Sequence, residues 1–380
     1  MNLVYCIDSI RGIGGIQHVT ITKANALANL ENNSVWIIYA DHSGQLYFPL
    51  SPKVHIVDLG INYYEDDWKS RLNVLKSIIF KRRIHRIRLA EQLRLIQPDI
   101  VISVGQSEKN ILPRIRGAWA IVREFHFTRD YRLLNAKGLF DKTLALAGNA
   151  VDCLSLRKYD RIVTLTQEDR DKNWTGNTKV SVIPNPTTLH PERTAELDNK
   201  RVIAAGRLTP QKNFSSLIRS FSRLSERYPD WTLDIYGEGS ERGALLTEIA
   251  EAGLTNSIHL NGIAHNIEEE LLSASVLALP SRFEGLPTIV LEALCCGLPV
   301  VAYACPCGPK DILQDRQIGY LVPTDDEEAF ADRLGCLMKD SALRKRMGAA
   351  ALERAKDYSI ERIVSMWMTL FNGLLNKKEK

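Results

Sequence analysis

Residues 276–303 read VLALPSRFEGLPTIVLEALCCGLPVVAY. Two apolar runs, Val276–Leu279 and Val300–Tyr303, have the length of buried strands and enclose a helical pattern. Pro287 suits the first helical position and Gly297 the position just past the end, so a helix is predicted over Pro287–Cys296. That helix is apolar nearly all round and is expected to be buried. A buried strand, a buried helix and a second buried strand in succession are the signature of parallel α/β architecture.

The alternation continues outward in both directions. Towards the N-terminus, strands are predicted at Leu3–Ile7, Val35–Tyr39, Val54–Val57, Ile100–Val104, Ala120–Val122, Arg161–Leu165 and Val180–Ile183. Beyond them come Val202–Ala205, Trp231–Tyr236, Ser257–Leu260, the two strands quoted above and Tyr320–Val322. Between the sets, Pro184–Lys200 carries three prolines and many polar residues, which marks an interdomain linker. The chain has 380 residues, and at roughly 150 per domain it holds two. Two doubly wound, Rossmann-like α/β domains are expected, 1–190 and 191–358. Open sheets of this kind bind ligands beyond the carboxyl ends of their strands, so a cleft between the domains is the expected active site.

Composition narrows the function. Hydrophobic residues make up 45% and charged residues 25%, which excludes a disordered chain, a collagen and a coiled-coil rod. The longest run without Asp, Glu, Lys or Arg, 293–309, is broken by Gly297, Pro299 and Pro306, so no transmembrane helix is expected. MNLVYCID has no basic leader region, and a cytoplasmic location is expected. The odd count of seven cysteines fits reduced thiols. Cys305-Pro-Cys307 lacks metal-ligand spacing, and no bound metal is expected.

The net charge of +4 divides unevenly, into +8 up to His190 and −4 beyond it. Something anionic is therefore expected to meet the first half: a membrane surface, a phosphorylated acceptor or nucleic acid. Nucleic acid fits least, because no aromatic stacking surface accompanies the charge. The basic residues concentrate in Lys76–Arg88, where Phe80, Ile84 and Ile87 share one helical face. This segment fits a peripheral membrane contact, and it fits equally an ordinary helix with its apolar face in the core.

Three stretches carry chemistry. RGIGGIQH at 11–18 follows the first strand and opens a helix at Ile16–Leu30; its glycines let N–H groups approach an anion, or simply make a tight turn. It fails as a dinucleotide fingerprint, since Gln17 stands where the third glycine belongs. GRLTPQKN at 206–213 places Arg207 and Lys212 on a strand-end loop, where two cations can hold a diphosphate, with Asn213 as the cap of the next helix. In the opening stretch, Glu292 is a carboxylate on a buried helix and needs a hydroxyl or a cation. Glu284 precedes that helix on a loop, and the N–H groups of Gly285, Leu286 and Thr288 sit at its positive end.

With these motifs in place, the chain resembles the retaining nucleotide-sugar glycosyltransferases of family 4, which have the GT-B fold. The resemblance rests on GGIQ at 14–17, IPNP at 183–186, GRLTPQKN at 206–213, YGEG at 236–239 and NG at 261–262. It rests further on EGLPTIVLE at 284–292, CGLPVV at 296–301 and GYLV at 319–322. CPCGPKDIL at 305–313 resembles members that build bacterial surface polysaccharides or lipid-linked oligosaccharides.

The resemblance implies a C-terminal helix at 359–380 that returns to the first domain. It implies that Arg207 and Lys212 bind the donor diphosphate, Glu292 the ribose and Glu284 the transferred hexose. The backbone around Glu238 and Ile263 would flank the base, and Gly14 and Gly15 would touch phosphate or acceptor. His126 is the match to a first-domain histidine near the reacting sugar, with His18 second. No cofactor or metal is implied beyond a nucleotide-sugar donor, expected to be UDP-linked, and the acceptor would be a glycan or a lipid-linked glycan. A nucleotide-sugar 2-epimerase and a non-catalytic partner protein share the fold. The partner reading predicts loss of Arg207, Lys212 or Glu284, and all three are present.

Overall fold

The computed structural model describes residues 1–42, 44–63, 71–115, 117–136, 138–314 and 317–376; side chains of 71–76 lie outside that description. The chain divides into two compact units. One comprises Met1–Leu165, Arg170–Pro186 and the segment from Ile360 to the C-terminus; the other comprises Thr166–Asp169 and Thr187–Ser359.

All thirteen expected strands form, each within a residue or two of its expected bounds. The first unit holds β1 (Asn2–Ile7), β2 (Ser34–Tyr39), β3 (Val54–Asp58), β4 (Ile100–Ser103), β5 (Ala120–Glu124), β6 (Arg161–Thr164) and β7 (Val180–Val182). They pair in parallel in the order β3-β2-β1-β4-β5-β6-β7. The second holds β8 (Arg201–Ala205), β9 (Thr232–Tyr236), β10 (Ile258–Gly262), β11 (Val276–Leu279), β12 (Val300–Tyr303) and β13 (Gly319–Val322). These are also parallel, in the order β10-β9-β8-β11-β12-β13. Strand order reverses between β1 and β4 in one sheet and between β8 and β11 in the other. Those are the points where open α/β sheets leave a crevice for ligands.

Each sheet is covered by helices that bury one face. Phe214, Leu217, Ile218 and Phe221 of the Phe214–Ser225 helix lie in the second core beside Phe330 and Leu334 of the Glu327–Lys339 helix. In the first unit, the Gly15–Ala28 helix packs on the Ile360–Leu375 helix, whose Trp367 and Phe371 are fully buried.

Four expectations are corrected. The segment read as a linker is not loose: Thr187 donates its N–H to the Tyr358 carbonyl at 2.8 Å, and Ala195 donates to Cys296 at 2.8 Å. These bonds draw the chain from Thr187 onward into the second unit, moving the boundary four residues earlier than expected. Asn213 does not cap its helix; it adopts φ 55° and its side-chain amide donates to Asp325 at 2.9 Å. Pro287 is the N-cap of the Thr288–Cys295 helix, one position earlier than the sequence suggests, while Gly297 ends it with φ 77°. The basic segment lies within a long helix, Arg71–Ile96, that buries His85, Leu89 and Leu93 rather than the Phe80 face. Tyr63 satisfies the buried His85 at 3.0 Å, and Phe80 and Ile87 are left exposed.

Candidate functional site

The loops at the second unit's crevice are Gly206–Asn213 after β8 and Pro280–Pro287 after β11. They are stitched together by three contacts. Gln211 donates its side-chain amide to the Phe283 carbonyl at 2.9 Å, and Arg282 donates its N–H to the Gln211 carbonyl at 2.9 Å. Lys212 Nζ meets Glu284 Oε1 at 2.6 Å, both side chains mostly withdrawn from solvent. Gln211 is a positioning residue that sequence reasoning passed over, because an amide in a polar loop carries no distinguishing pattern.

Lys212 arches over Gly206, while Gly237 holds the neighbouring loop after β9 hard against the same glycine. A Cβ on Gly237 would stand 1.9 Å from the Gly206 carbonyl oxygen, and its φ is +141°. Only a glycine fits such an approach. Leu208 and Glu241 donate N–H groups to Glu238 and Leu208 carbonyls at 3.0 Å, which fixes the loop from 237 to 241 beside Arg207. Gly237 N–H also reaches the Gly262 carbonyl at 2.7 Å, which ties the ends of β9 and β10 together just before Glu238 and Ile263.

Arg207 is exposed and has no ion pair among the described residues. The N–H groups of Gly285, Leu286 and Thr288 have no acceptor among the described residues. One fixed ammonium, one free guanidinium and three free N–H groups thus gather at one crevice, an arrangement suited to an anion. Glu284 beside them is buried and can accept from a hydroxyl. Glu292 is buried on the next helix; Thr188 donates its hydroxyl to Oε1 at 2.7 Å, and burial raises the carboxyl's pKa. Gly308, at φ +96°, lets the 305–313 loop approach Pro287, where a Cβ would fall 2.6 Å from Cδ. That loop also grips Glu168, through Cys307 N–H and Lys310 Nζ at 2.9 Å each.

In the first unit the glycine loop divides its labour. Gly12 supplies the positive φ, +100°, while Gly14 is the N-cap of the Gly15–Ala28 helix at φ −75° and both Gly14 and Gly15 are exposed. His126 is buried at the end of β5, its Nε2 3.3 Å from Glu124 Oε1 but off hydrogen-bonding geometry. Burial lowers its pKa to about 4 against the pull of Glu124, so the ring is neutral at pH 7. Glu124 is itself held by the buried Lys23, whose ammonium lies 5.0 Å from the centre of the Trp367 ring. Burial pushes Glu124 upward, but Lys23 and His126 outweigh it and hold the carboxyl below its usual range. His18 stacks on Phe48, with ring centroids 4.0 Å apart.

All seven cysteines are free thiols. Among the described residues no group of His, Cys, Asp and Glu could hold a metal ion, and no helix is long and apolar enough to cross a membrane.

Residues 187–354 match the family model described as Glycosyl transferases group 1. The chain is 29% identical to the amylovoran biosynthesis glycosyltransferase AmsD of Erwinia amylovora, over 97% of this chain and 99% of that protein. It is 24% identical, over 99% of both chains, to a Campylobacter jejuni N-acetyl-D-galactosaminyltransferase named for a diNAcBac-PP-undecaprenol acceptor. The crystal structure of S. aureus TarM with Fondaparinux, alpha-GlcNAc-glycerol and UDP superposes with a TM-score of 0.78 at 15% identity, covering 98% of this chain and 99% of that one. That likeness shows a shared GT-B fold.

Proposed function

We propose that this chain, a glycosyltransferase by the group 1 domain over its residues 187–354, moves a hexose or N-acetylhexosamine from a UDP-sugar to a glycan or lipid-linked acceptor with retention at the anomeric carbon. The observation that carries the reading is the Lys212–Glu284 pair beside the free Arg207 at the second unit's strand-order reversal. Lys212 and Arg207 take the diphosphate, and the N–H groups of Gly285, Leu286 and Thr288 take its remaining oxygens. Glu284 accepts from a hydroxyl of the sugar, and Glu292 from the ribose. Glu238 and Ile263 flank the base, and Gly14, Gly15 and His126 are assigned to phosphate, acceptor or the reacting sugar.

In the reaction the anomeric C–O bond to the diphosphate breaks and a bond from that carbon to the acceptor oxygen forms. The acceptor's proton passes to the departing phosphate oxygen. Negative charge therefore grows on the diphosphate while positive charge grows on the ring. Cations and N–H groups already in place stabilise the former without reorganising, each donor being worth about 10²–10³ in rate. A metal is not needed for this, and transfer measured in EDTA is expected to be unchanged.

The exposed Phe80 and Ile87 beside Arg82, Arg83 and Arg86 support a peripheral membrane contact through the Arg71–Ile96 helix, which contains the described part of Lys76–Arg88. Flotation with anionic liposomes tests this; absence of salt-sensitive binding removes it. The donor assignment is tested by thermal shift with UDP, GDP, ADP and their sugars. UDP and one UDP-sugar at 100 times Kd would add about 2.7 kcal/mol. Stabilisation by GDP alone would overturn the donor base, and silence throughout would overturn the transferase reading.

A further inference from the structure

The 305–313 loop is built around one peptide unit, Pro306–Cys307, that is held at both ends. Its carbonyl, on Pro306, accepts the Glu284 N–H at 3.2 Å. Its N–H, on Cys307, donates to Glu168 Oε2 at 2.9 Å. A peptide unit is planar and stiff, so fixing one end aims the other. Glu168, more than a hundred positions earlier in the chain, thus reaches the backbone of Glu284 through a single rigid plate.

That contact is part of a clasp made by three consecutive residues. Gln167 donates its N–H to Asp311 Oδ1 at 2.8 Å, and Glu168 Oε1 takes Lys310 Nζ at 2.9 Å. Asp169 Oδ1 lies 3.7 Å from Cys307 Sγ. These bonds explain why Thr166–Asp169 belongs to the second unit although the residues on either side of it belong to the first. The far end of the loop is pinned as well, since Arg354 donates to the Asp311 carbonyl at 2.7 Å and to the Ile312 carbonyl at 3.2 Å.

The loop needs such holding. Cys307 has φ +61° and Gly308 φ +96°. A residue with a side chain keeps that conformation only where its surroundings over-determine it. Gly308 also lies tight against the neighbouring loop: a Cβ there would stand 3.0 Å from the Gly285 carbonyl oxygen and 3.4 Å from Leu286 Cα. Cys305, at the start of the stretch, is near enough to the donor pair that Glu284 adds to the rise burial gives its thiol pKa, while Lys212 opposes it. The Pro306–Cys307 peptide therefore backs the segment that carries Glu284 and the N–H groups of Gly285 and Leu286.

We infer that Glu168 is a positioning residue for sugar transfer, acting through the Pro306–Cys307 peptide on the backbone of Glu284. The inference rests on the donor assignment proposed above. A carboxylate accepting a backbone N–H makes a short, strong bond, whereas its half-exposed pair with Lys310 contributes little. The test compares Glu168→Ala, Glu168→Gln and Lys310→Met in the full chain. It reads UDP release from UDP-glucose, UDP-galactose and their N-acetylated forms, UDP affinity by calorimetry, and hydrogen exchange at the Glu284 amide. Glu168→Ala is expected to lower kcat about tenfold or more, because small misplacements of a group at the reacting centre are costly. KM for the donor and Kd for UDP should stay within about threefold, and the Glu284 amide should exchange at least about tenfold faster. Glu168→Gln keeps an oxygen for the Cys307 N–H and is expected to restore kcat to within about threefold of wild type, as is Lys310→Met.

Wild-type kcat or wild-type exchange in Glu168→Ala overturns the inference. So does a fall in UDP affinity as large as the fall in kcat, which would mark a general loss of structure. Glu168→Gln or Lys310→Met as slow as Glu168→Ala overturns it too, by assigning the effect to the ion pair. Lys212→Ala separates this inference from the donor reading. If Lys212→Ala loses transfer while Glu168→Ala does not, only the positioning role falls; if neither loses it, the donor reading falls and this inference with it.

Discussion

The two units treat charge in opposite ways. In the second, Lys212 is already engaged by Glu284, and Arg282 by Asp325 at 3.1 Å, so the crevice loops are held by one another. In the first, Lys23 and Glu124 are engaged deep beside Trp367, while Arg82, Arg83, Arg86 and Arg114 have no ion pair among the described residues. A site that must stabilise a developing charge gains from groups fixed beforehand. A site that must capture an anion gains from groups with nothing else to bind. On the proposed function, the contrast favours rate at the prearranged loops of the second unit and capture of an anion at the unpaired arginines of the first.

The largest expected effects fall on the fixed pair. Lys212→Ala and Glu284→Gln are each expected to cut transfer at least 100-fold, about 2.7 kcal/mol or more, with UDP-sugar turnover as the measurement. Glu284→Gln keeps an acceptor for the ammonium and so guards against misfolding; near-normal turnover in that folded variant would break the idea of a prearranged donor site. Gly237→Ala is next, because its methyl would collide with the Gly206 carbonyl at a φ hostile to side chains. A loss of roughly 2–4 kcal/mol in urea unfolding is expected, read as a midpoint shift at constant slope.

Acid sharpens the comparison from the other side. His18, His85 and His126, all in the first unit, have pKa values lowered by burial to about 4. The unfolded chain binds protons at these sites near pH 6.5 and the folded chain only near pH 4. Stability is therefore fully present above pH 6.5 and is lost as pH falls through that window. His126→Gln should flatten the fall in melting temperature between pH 6.5 and 4.5; an unchanged slope would remove His126 from the account. The smallest effect is expected for Gln211→Ala, about 1 kcal/mol of stability from a lost loop bond, with a milder drop in turnover than either member of the pair.

Much of this was legible in the chain. Strands show because buried parallel strands are short continuous apolar runs between turn residues, and Val276–Leu279 and Val300–Tyr303 are of that kind. Arg207, Lys212, Glu284 and Glu292 stood out because loop cations and a carboxylate on an apolar helix are locally anomalous. The hollow in the first unit lined by Arg82, Arg83, Arg86, Arg114 and Arg132 could not be read, since its arginines come from three segments that only the fold brings together. Nor could the Leu139–Leu156 helix, of which only Ala145 is buried: a periodic apolar face looks the same in sequence whether it turns inward or outward. The Arg71–Ile96 helix stayed open between two readings for a related reason, because the core takes His85 rather than Phe80, and Tyr63, remote in sequence, partners His85.

The Ile360–Leu375 helix has one more consequence. It supplies Trp367 and Phe371 to the core of the first unit, yet in the chain it follows the whole of the second unit. Domains ordinarily complete themselves in the order of synthesis. Here that order is inverted. The segment Thr187–Ser359 leaves the ribosome with its companion segment, Thr166–Asp169, already made, whereas the unit that holds Met1–Leu165 waits for the Ile360–Leu375 helix. A nascent chain stalled before residue 360 therefore carries a complete second unit and a first unit that lacks Trp367 and Phe371 in its core.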